Sequence, residues 1–241
     1  MNTNKNSYTL IYAVAMVVVV AFMLSFVSSA LKEKQTANVE LDKKKQILRS
    51  ININLKGQDA EALYDKYVIN GLIINSDAEM LAESKDEAFN VDIVKESAKP
   101  LDERRLPVYI AEVDGRVKYV ISLRGAGLWG PIWGYIALND DKNTVFGVFF
   151  SHASETPGLG ANITDAWFQN QFAGKHILNN RSEFVSIAIM KTGTRVEGSD
   201  QVDAISGGTI TSKGVEKMLY DSMSQYDNFF QQNDMTAGRK E

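Results

Sequence analysis

Residues 203–214, D-A-I-S-G-G-T-I-T-S-K-G, combine small and hydroxyl side chains directly before a helical pattern. This composition suits a phosphate, because backbone N–H groups converge at a helix start, glycine leaves access open, and the helix end carries positive potential. The stretch lacks the G-K-[ST] ending of a Walker P-loop, and Ser206 does not lie in the G-x-S-x-G pattern of a hydrolase nucleophile. Taken alone, Thr211 or Ser212 could simply be the N-cap of the helix.

A second glycine-rich stretch, R-G-A-G-L-W-G-P at residues 124–131, matches the dinucleotide fingerprint G-x-G-x-x-G letter by letter. We reject the match because the fingerprint must open a helix, whereas Pro131 and an alternating, strand-like run follow here. Two interpretations remain: a flexible connection between strands, or a loop whose backbone approaches a flat ligand. In the second, Leu128 and Trp129 offer apolar or stacking faces.

The third stretch, S-H-A-S-E-T-P-G-L-G at residues 151–160, pairs His152 with Glu155 at a spacing that metal sites use. Two ligands without a third or fourth do not make a metal site, so we expect none here. Pro157 fixes its own φ and two glycines permit tight bends, which favours a rigid structural loop. In the alternative interpretation, Glu155 and Thr156 hydrogen-bond the polar edge of a ligand.

The composition excludes several kinds of chemistry. The 241-residue chain has no cysteine and only two histidines, His152 and His176. The absence of cysteine excludes disulfides, thiolate zinc sites, cysteine-ligated iron–sulfur clusters and cysteine nucleophiles. A formal net charge of −4 argues against a dedicated nucleic-acid-binding protein, which usually shows a basic stripe. A hydrophobic fraction of 44% is ordinary for a folded protein.

The N-terminal segment predicts a membrane anchor at residues 1–31. No charged residue occurs between Lys5 and Lys32, and residues 10–27 are almost wholly apolar. A helix needs about 20 apolar residues to cross the hydrocarbon core, so we expect one transmembrane helix. The alternative is a cleaved signal peptide, but the apolar run exceeds the roughly 7–15 residues typical of its core. The helix has no Asp, Glu, Lys, Arg or His, so partner subunits would have to supply any ion path.

The rest of the chain predicts short helices and antiparallel hairpins. Helical patterns occupy residues 32–49, 59–67, 77–88 and 163–171. Strand patterns occupy residues 106–113, 116–123, 132–138, 144–150 and 184–190. Asp114-Gly115 between the first two strands is a hairpin turn signal.

A last helix is predicted to begin near Thr211 or Ser212, because apolar residues then recur on one helical face. That face consists of Val215, Met218, Leu219, Ser222, Tyr226, Phe229 and Phe230. The sequence therefore predicts an α+β fold. Its parts are the anchor at 1–31, a helical stalk and helical subregion at 32–100, a mixed α+β domain with antiparallel hairpins at 101–230, and a polar tail at 231–241.

Read together, the three glycine-rich stretches resemble the FMN-binding domain of flavoproteins that carry FMN as a phosphoester on threonine. The matching motifs are R-G-A-G-L-W-G at 124–130, E-T-P-G-L-G at 155–160 and D-A-I-S-G-G-T-I-T-S at 203–212. The resemblance extends over nearly the whole chain and is strongest to the family of FMN-carrying, single-helix subunits of the sodium-translocating NADH:quinone reductases. The corresponding subunit of the related ferredoxin:NAD oxidoreductase complex shares the second motif and S-G-x-T, and it remains the alternative.

The resemblance implies that a separate flavin transferase, using FAD as donor and magnesium, esterifies the FMN phosphate to the Thr209 hydroxyl. Asp203 opens the motif that the transferase recognises. The residues expected around the phosphate are Ser206, Gly207, Gly208 and Thr211. Alanine is frequent at the position of Gly208, and glycine there removes no reactive group. The expected ring and ribityl contacts are Leu128, Trp129, Glu155, Thr156, Leu159 and Gly160.

The resemblance also implies a redox subunit of a multi-subunit membrane complex. Electrons would arrive from an iron–sulfur or flavin partner and leave for a flavin in a membrane subunit, on the way to quinone, with no NADH site in this chain. The implied location is the bacterial inner membrane, with the flavin domain outside the cytoplasm. The excess of lysine after the apolar helix points to the opposite side, but that rule is weaker when a long domain follows. A non-redox, membrane-anchored assembly module stays open, and a tethered hydrolase is disfavoured because neither histidine adjoins a nucleophile motif.

Overall fold

The computed structural model describes residues 6–232, so most of the predicted polar tail at 231–241 lies outside the described residues. Contacts divide the chain into two compact units, Met1–Lys43 and Lys44–Glu241. The division falls inside α1, a helix that runs over Asn6–Ser50.

The described part of the first unit is the N-terminal part of α1, and it includes the apolar run at residues 10–27. Its large apolar side chains are exposed, and Phe22 is 73% exposed. Within residues 6–232, α1 is the one helix that is long and apolar enough to cross a membrane. This agrees with the predicted single-pass anchor, and it also confirms that the charged residues 32–49 continue as helix.

The second unit contains six antiparallel strands: β1 (Val68–Ile74), β2 (Met80–Glu83), β3 (Leu106–Val113), β4 (Arg116–Ala126), β5 (Pro131–Leu138) and β6 (Val145–His152). They form one sheet in the order β2-β1-β3-β4-β5-β6. The predicted hairpin turn is confirmed, since Asp114 and Gly115 have φ angles of 52° and 72°, as a type I′ turn requires. The four strands predicted between residues 106 and 150 are confirmed, with β4 and β6 somewhat longer than expected.

Helices and a small second sheet surround these strands. The helices are α2 (Ala60–Tyr67), α3 (Lys85–Asn90), α4 (Ile93–Ser97), α5 (Ala166–Gln169), α6 (Thr209–Met223) and α7 (Asp227–Gln231). Single 3₁₀ turns occupy Leu101–Glu103, Gly160–Thr164, Asn170–Phe172 and Ser224–Tyr226. Two short strands, β7 (Ala188–Met190) and β8 (Gln201–Asp203), pair in parallel. The predicted α+β class with antiparallel hairpins is confirmed.

The large sheet is covered on both faces. On one face, Ile121 and Ile136 of the sheet belong to the same buried cluster as Val215 and Leu219 of α6. On the other face, Tyr109 is fully buried and its hydroxyl donates a hydrogen bond to a carbonyl of α3. The apolar face predicted for the last helix is therefore confirmed as the side of α6 that packs on the sheet.

The helix predicted at 77–88 is wrong. Asn75 closes a turn by accepting hydrogen bonds from two backbone N–H groups that follow it, and the chain then forms β2. Helix α3 begins only after Ser84, whose hydroxyl accepts a hydrogen bond from the Glu87 N–H as an N-cap. The subregion predicted as helical at 32–100 thus supplies two strands, β1 and β2, to the sheet.

Three further element boundaries differ from the prediction. The helix predicted at 163–171 is broken at Asp165, whose ψ of 141° is extended. Of the strand predicted at 184–190, only β7 forms, because Ser186 has a φ of 60° that a strand cannot include. Finally, α6 starts at Thr209 rather than at residue 211 or 212.

Candidate functional site

Thr209 is exposed and is the first residue of α6. The N-cap before it is Gly208, which has no side chain to accept a hydrogen bond from the first turn. The first amides of a helix have no partner within the helix, so this end remains available to an outside acceptor. The alternative in which Thr211 or Ser212 is the N-cap is wrong, since both residues lie inside the helix and are buried.

The turn before α6 is fixed by Ser212. Its hydroxyl donates a hydrogen bond to the Gly208 carbonyl (2.9 Å) and accepts one from the Ile205 N–H (3.0 Å). Gly207 has a φ of 72°, and a Cβ atom there would lie only 2.7 Å from the Leu159 side chain. This left-handed φ favours glycine at residue 207, and the turn lies directly against the loop at 151–160.

Glu155 joins the three glycine-rich stretches. Its carboxylate is 5% exposed, and its Oε1 accepts a hydrogen bond from the Trp129 N–H at 2.9 Å. Its Oε2 accepts a hydrogen bond from the Thr211 hydroxyl at 2.6 Å. A Cβ atom at Gly127 or Gly160 would lie 2.4 Å from a carboxylate oxygen. The motifs that resembled a single site in sequence are thus adjacent in space.

Exposed apolar side chains flank this junction. Leu128 is 48% exposed, Trp129 is 65% exposed and Leu159 is 42% exposed. Ile210, next to Thr209, is 60% exposed, and no sequence pattern had distinguished it. The loops at 124–131 and 151–160 therefore present an apolar surface on the Leu159 side of the turn before α6.

Hydrogen bonds within the loop at 151–160 and to its neighbours hold its backbone. The Glu155 N–H donates a hydrogen bond to Nδ1 of His152 (3.1 Å), and the Ser154 hydroxyl donates one to the Trp129 carbonyl (3.0 Å). Thr156 is exposed, while its carbonyl accepts hydrogen bonds from the Leu159 and Ala161 N–H groups. Across the described residues, no group of three or more metal-binding side chains occurs.

A cavity of about 520 Å³ opens beside Thr209. Ser206 and Gly207 line it from one side and the segment after β7 lines it from the other. Two of its lining residues are cationic, Lys191 and Lys213. Sequence analysis missed Lys191, because only the parallel pairing of β7 with β8 brings that segment to Thr209, and no local pattern signals this pairing.

Asp203 is the last residue of β8 and lies at the entrance to the turn before α6. Its backbone N–H donates a hydrogen bond to the Gln171 side chain at 2.9 Å. The next residue, Ala204, donates its N–H to the carbonyl of Met190 at 2.8 Å. These backbone contacts fix the start of the motif, and the Asp203 side chain is partly exposed.

The second histidine belongs to a different part of the surface. His176 contacts the Asp200 carboxylate through both its backbone N–H (2.6 Å) and its ring Nδ1 (3.0 Å). Burial alone would raise the pKa of Asp200, but the hydrogen bonds from His176 outweigh it and hold that pKa below its ordinary value. Within residues 6–232, the ring of His152 accepts from the Glu155 N–H, and the ring of His176 contacts Asp200.

Comparisons with known proteins identify relatives of this chain. Residues 127–224, which include the whole candidate site, match the family model of the FMN-binding domain. The NqrC protein of the Na(+)-translocating NADH-quinone reductase of Vibrio anguillarum is 30% identical over 229 residues, covering 89% of each chain. The crystal structure of the same-named protein from Parabacteroides distasonis is 46% identical, covers 85% of this chain and 98% of that chain, and superposes with a TM-score of 0.78. NqrC of Shewanella oneidensis is 26% identical, covers 80% and 97%, and superposes with a TM-score of 0.68.

The fold and the arrangement around Thr209 define a membrane-anchored protein with an FMN-binding domain. With a curated relative at 30% identity over most of both chains, the protein belongs to the NqrC family of the Na(+)-translocating NADH-quinone reductases. Members of this family are subunits of a multi-subunit oxidoreductase. The resemblance drawn from the three motifs is therefore confirmed.

Proposed function

We propose that this protein is the subunit of a sodium-translocating NADH:quinone reductase that carries FMN as a phosphoester on Thr209. The observation that carries the proposal is the position of Thr209. It is the one hydroxyl residue of the motif that is both exposed and located at the first residue of α6, beside unpartnered backbone amides.

The surroundings of Thr209 fit a phosphodiester. Such a group keeps one negative charge, and a helix N-terminus stabilises an exposed anion by about 0.3–1 kcal/mol. Lys191 and Lys213 add positive charge in the adjoining cavity, although Lys213 also contacts Glu216. Glycine at 207 and 208 keeps the approach to the hydroxyl free of side chains. These features support the roles proposed for Ser206, Gly207 and Gly208 around the phosphate. The Thr211 hydroxyl is buried and donates to Glu155, so Thr211 would contribute through its backbone N–H.

We propose that the flavin ring and the ribityl chain bind the apolar surface on the Leu159 side of the turn before α6. Trp129 offers a flat face for stacking, and Leu128 and Leu159 offer apolar contacts. Thr156 and Gly160 lie in the same loop as Leu159, and their backbone polar groups would contact the ribityl chain. The ring would then lie beside Glu155, within reach of a tether on Thr209.

FMN, when bound, supplies the electron-transfer chemistry, and this chain binds and orients it. Because the chain has no cysteine, it cannot hold a cysteine-ligated cluster, so electrons must come from and go to centres on other subunits. We also propose that NADH binds elsewhere in the complex. The G-x-G-x-x-G match lies where β4 connects to β5 and not at the start of a helix.

Maturation and placement complete the proposal. A flavin transferase would recognise Asp203 and transfer the flavin phosphate from FAD to Thr209, with AMP leaving.

We place the protein in the bacterial inner membrane with the flavin domain outside the cytoplasm. Protease added to intact spheroplasts should digest the domain if this placement is correct, and protection of the domain would contradict it.

The test of the proposal is a denaturing gel of the full chain co-expressed with its flavin transferase. We expect a fluorescent flavin band that survives denaturation in the wild type and disappears in Thr209→Ala. The matched control is Thr192→Ala, which truncates an exposed threonine lining the same cavity and should keep the band. A band in Thr209→Ala would refute the assignment, and no band under any condition would favour the assembly module.

The ferredoxin-linked complex is the remaining alternative host. The relatives described above are named as subunits of the sodium-translocating enzyme, and this supports our choice. Neighbouring genes provide a direct check. Genes for the other subunits of the sodium-translocating reductase should lie beside this one, and genes for the ferredoxin-linked complex there would overturn the choice.

A further inference from the structure

The Glu155 carboxylate is buried without an ion-pair partner among the residues that the structure describes. Burial of a charge is costly unless hydrogen bonds compensate for it. The compensation comes from two neutral donors, the Trp129 N–H on Oε1 and the Thr211 hydroxyl on Oε2. A third hydrogen bond, from the Glu155 N–H to His152, fixes the backbone that carries this side chain.

These two hydrogen bonds connect elements that are far apart in sequence. Trp129 lies in the connection from β4 to β5, and Thr211 lies in the first turn of α6, two residues after Thr209. No other side-chain hydrogen bond in the described residues joins that connection to the first turn of α6. The carboxylate is therefore the polar link between the loop proposed to contact the flavin ring and the helix proposed to carry its attachment point.

The space around the carboxylate leaves little freedom. At Gly127 a Cβ atom would lie 2.4 Å from Oε1, and at Gly160 a Cβ atom would lie 2.4 Å from Oε2 and from the Thr211 hydroxyl. Glycine at these two positions allows the carboxylate to fit between the loops. A shift of either loop would consequently break a hydrogen bond rather than be absorbed by a gap.

We propose that Glu155 is a positioning residue that holds the Trp129 loop against the first turn of α6, and that its charge lowers the midpoint potential of the bound flavin. The inference rests on the proposed function and refines it, because Glu155 holds Trp129 and Thr211 in place in addition to lying beside the ring. A negative charge close to the ring disfavours the gain of electrons, and burial leaves that charge little screened.

The variants separate the hydrogen bonds from the charge. Glu155→Gln keeps the size of the side chain, accepts from the Trp129 N–H and can donate to the Thr211 oxygen, but it removes the charge. Glu155→Ala removes both links, and Thr211→Val removes only the donor on α6. Glu197→Gln, at an exposed position, is the matched control for loss of one negative charge.

Three measurements on the full-length protein in detergent decide the matter. The first is hydrogen–deuterium exchange of the Trp129 amide before flavin is attached. The second is the rate at which purified flavin transferase and FAD label the protein, and the third is the midpoint potential of the attached flavin. The exchange measurement does not depend on flavin attachment, so it tests the link even if wild-type protein is not labelled and the proposed function fails.

We expect the Trp129 amide to exchange at least about tenfold faster in Glu155→Ala and Thr211→Val, because a hydrogen bond to a charged group is lost or loosened. Labelling should slow by about tenfold or more in Glu155→Ala, and Glu155→Gln should restore most of the rate. Glu155→Gln should shift the midpoint potential upward, and Glu197→Gln should not.

Two results would overturn the inference. Unchanged amide exchange in Thr211→Val would show that the carboxylate does not link the loop to the helix. An unchanged potential in Glu155→Gln would show that the charge does not act on the flavin. Should Glu155→Ala fail to fold, the other two variants still decide both points.

Discussion

Replacing Gly214 by alanine should push α6 away from the sheet. Gly214 lies in α6, five residues after Thr209, and packs against the end of β4. A Cβ atom at this position would lie 2.5 Å from the Ala126 carbonyl oxygen, which is closer than real Cβ contacts allow. Because the obstacle is backbone, no side chain can rotate away, and the helix must move by about 1 Å to reach a normal separation.

The expected cost follows from two opposing effects. Overpacking of this kind destabilises a protein by about 1–3 kcal/mol, and a backbone obstacle places Gly214→Ala at the upper end. Alanine in a helix interior returns up to about 1 kcal/mol through its higher helix propensity. The net loss should be about 2 kcal/mol, which for a domain of this size lowers Tm by about 4–8 °C.

Thermal unfolding of the full chain in detergent measures this effect. Lys217→Ala is the control, since Lys217 is exposed on the same helix and forms only a surface ion pair with Asp221 (2.7 Å). That pair contributes at most about 1 kcal/mol, so the control should change Tm little. An unchanged or raised Tm in Gly214→Ala would refute the packing argument, because helix propensity alone predicts a rise.

Two further predictions concern the rest of the domain. Phe150→Ala should lower the free energy of unfolding by about 3–5 kcal/mol in denaturant titrations. The reason is that Phe150 is fully buried and its ring centroid lies 5.2 Å from that of Phe172. A loss under about 1 kcal/mol would contradict this. Asp200, whose pKa lies below the ordinary 3.8, contributes stability that is present above pH 3.8 and is lost as the pH falls through its folded-state pKa. Asp200→Asn should therefore lower stability at neutral pH and flatten its decline below about pH 4; a wild-type profile in Asp200→Asn would be the contrary result.

Local signals were sufficient for much of the fold. Asp114-Gly115 predicts its hairpin because few residue pairs adopt two consecutive left-handed conformations. The apolar period after residue 211 predicts the buried face of α6, although the helix itself ends at Met223 and 3₁₀ and short helical turns bury Tyr226 and Phe230. These features depend on residues that are adjacent in sequence, so the sequence alone predicts them.

The sequence-based predictions are wrong where a single side chain or a long-range contact determines the local structure. Ser84 caps α3, so this helix begins at Lys85 and not at residue 77 as expected. Ser186 interrupts the expected strand with a left-handed φ that hydrophobic patterning does not reveal.

The candidate site likewise has a part that is local in sequence and a part that depends on long-range contacts. The motif around Thr209 is local in sequence, and it is the basis for proposing Thr209 as the attachment point. The link from Glu155 to Trp129 and Thr211 spans 26 and 56 residues, and the approach of Lys191 depends on a parallel strand pair. Only the folded structure shows that these residues meet.

Peptide mass spectrometry tests the central claim most directly. Trypsin cleaves after Arg195 and Lys213, and the peptide between them contains all the hydroxyl residues of the motif. For protein co-expressed with its flavin transferase, the account predicts that this peptide gains one FMN minus one water, with fragment ions that place the addition on Thr209. An addition on Ser206, Thr211 or Ser212, or an unmodified peptide from protein that still carries flavin, would contradict it.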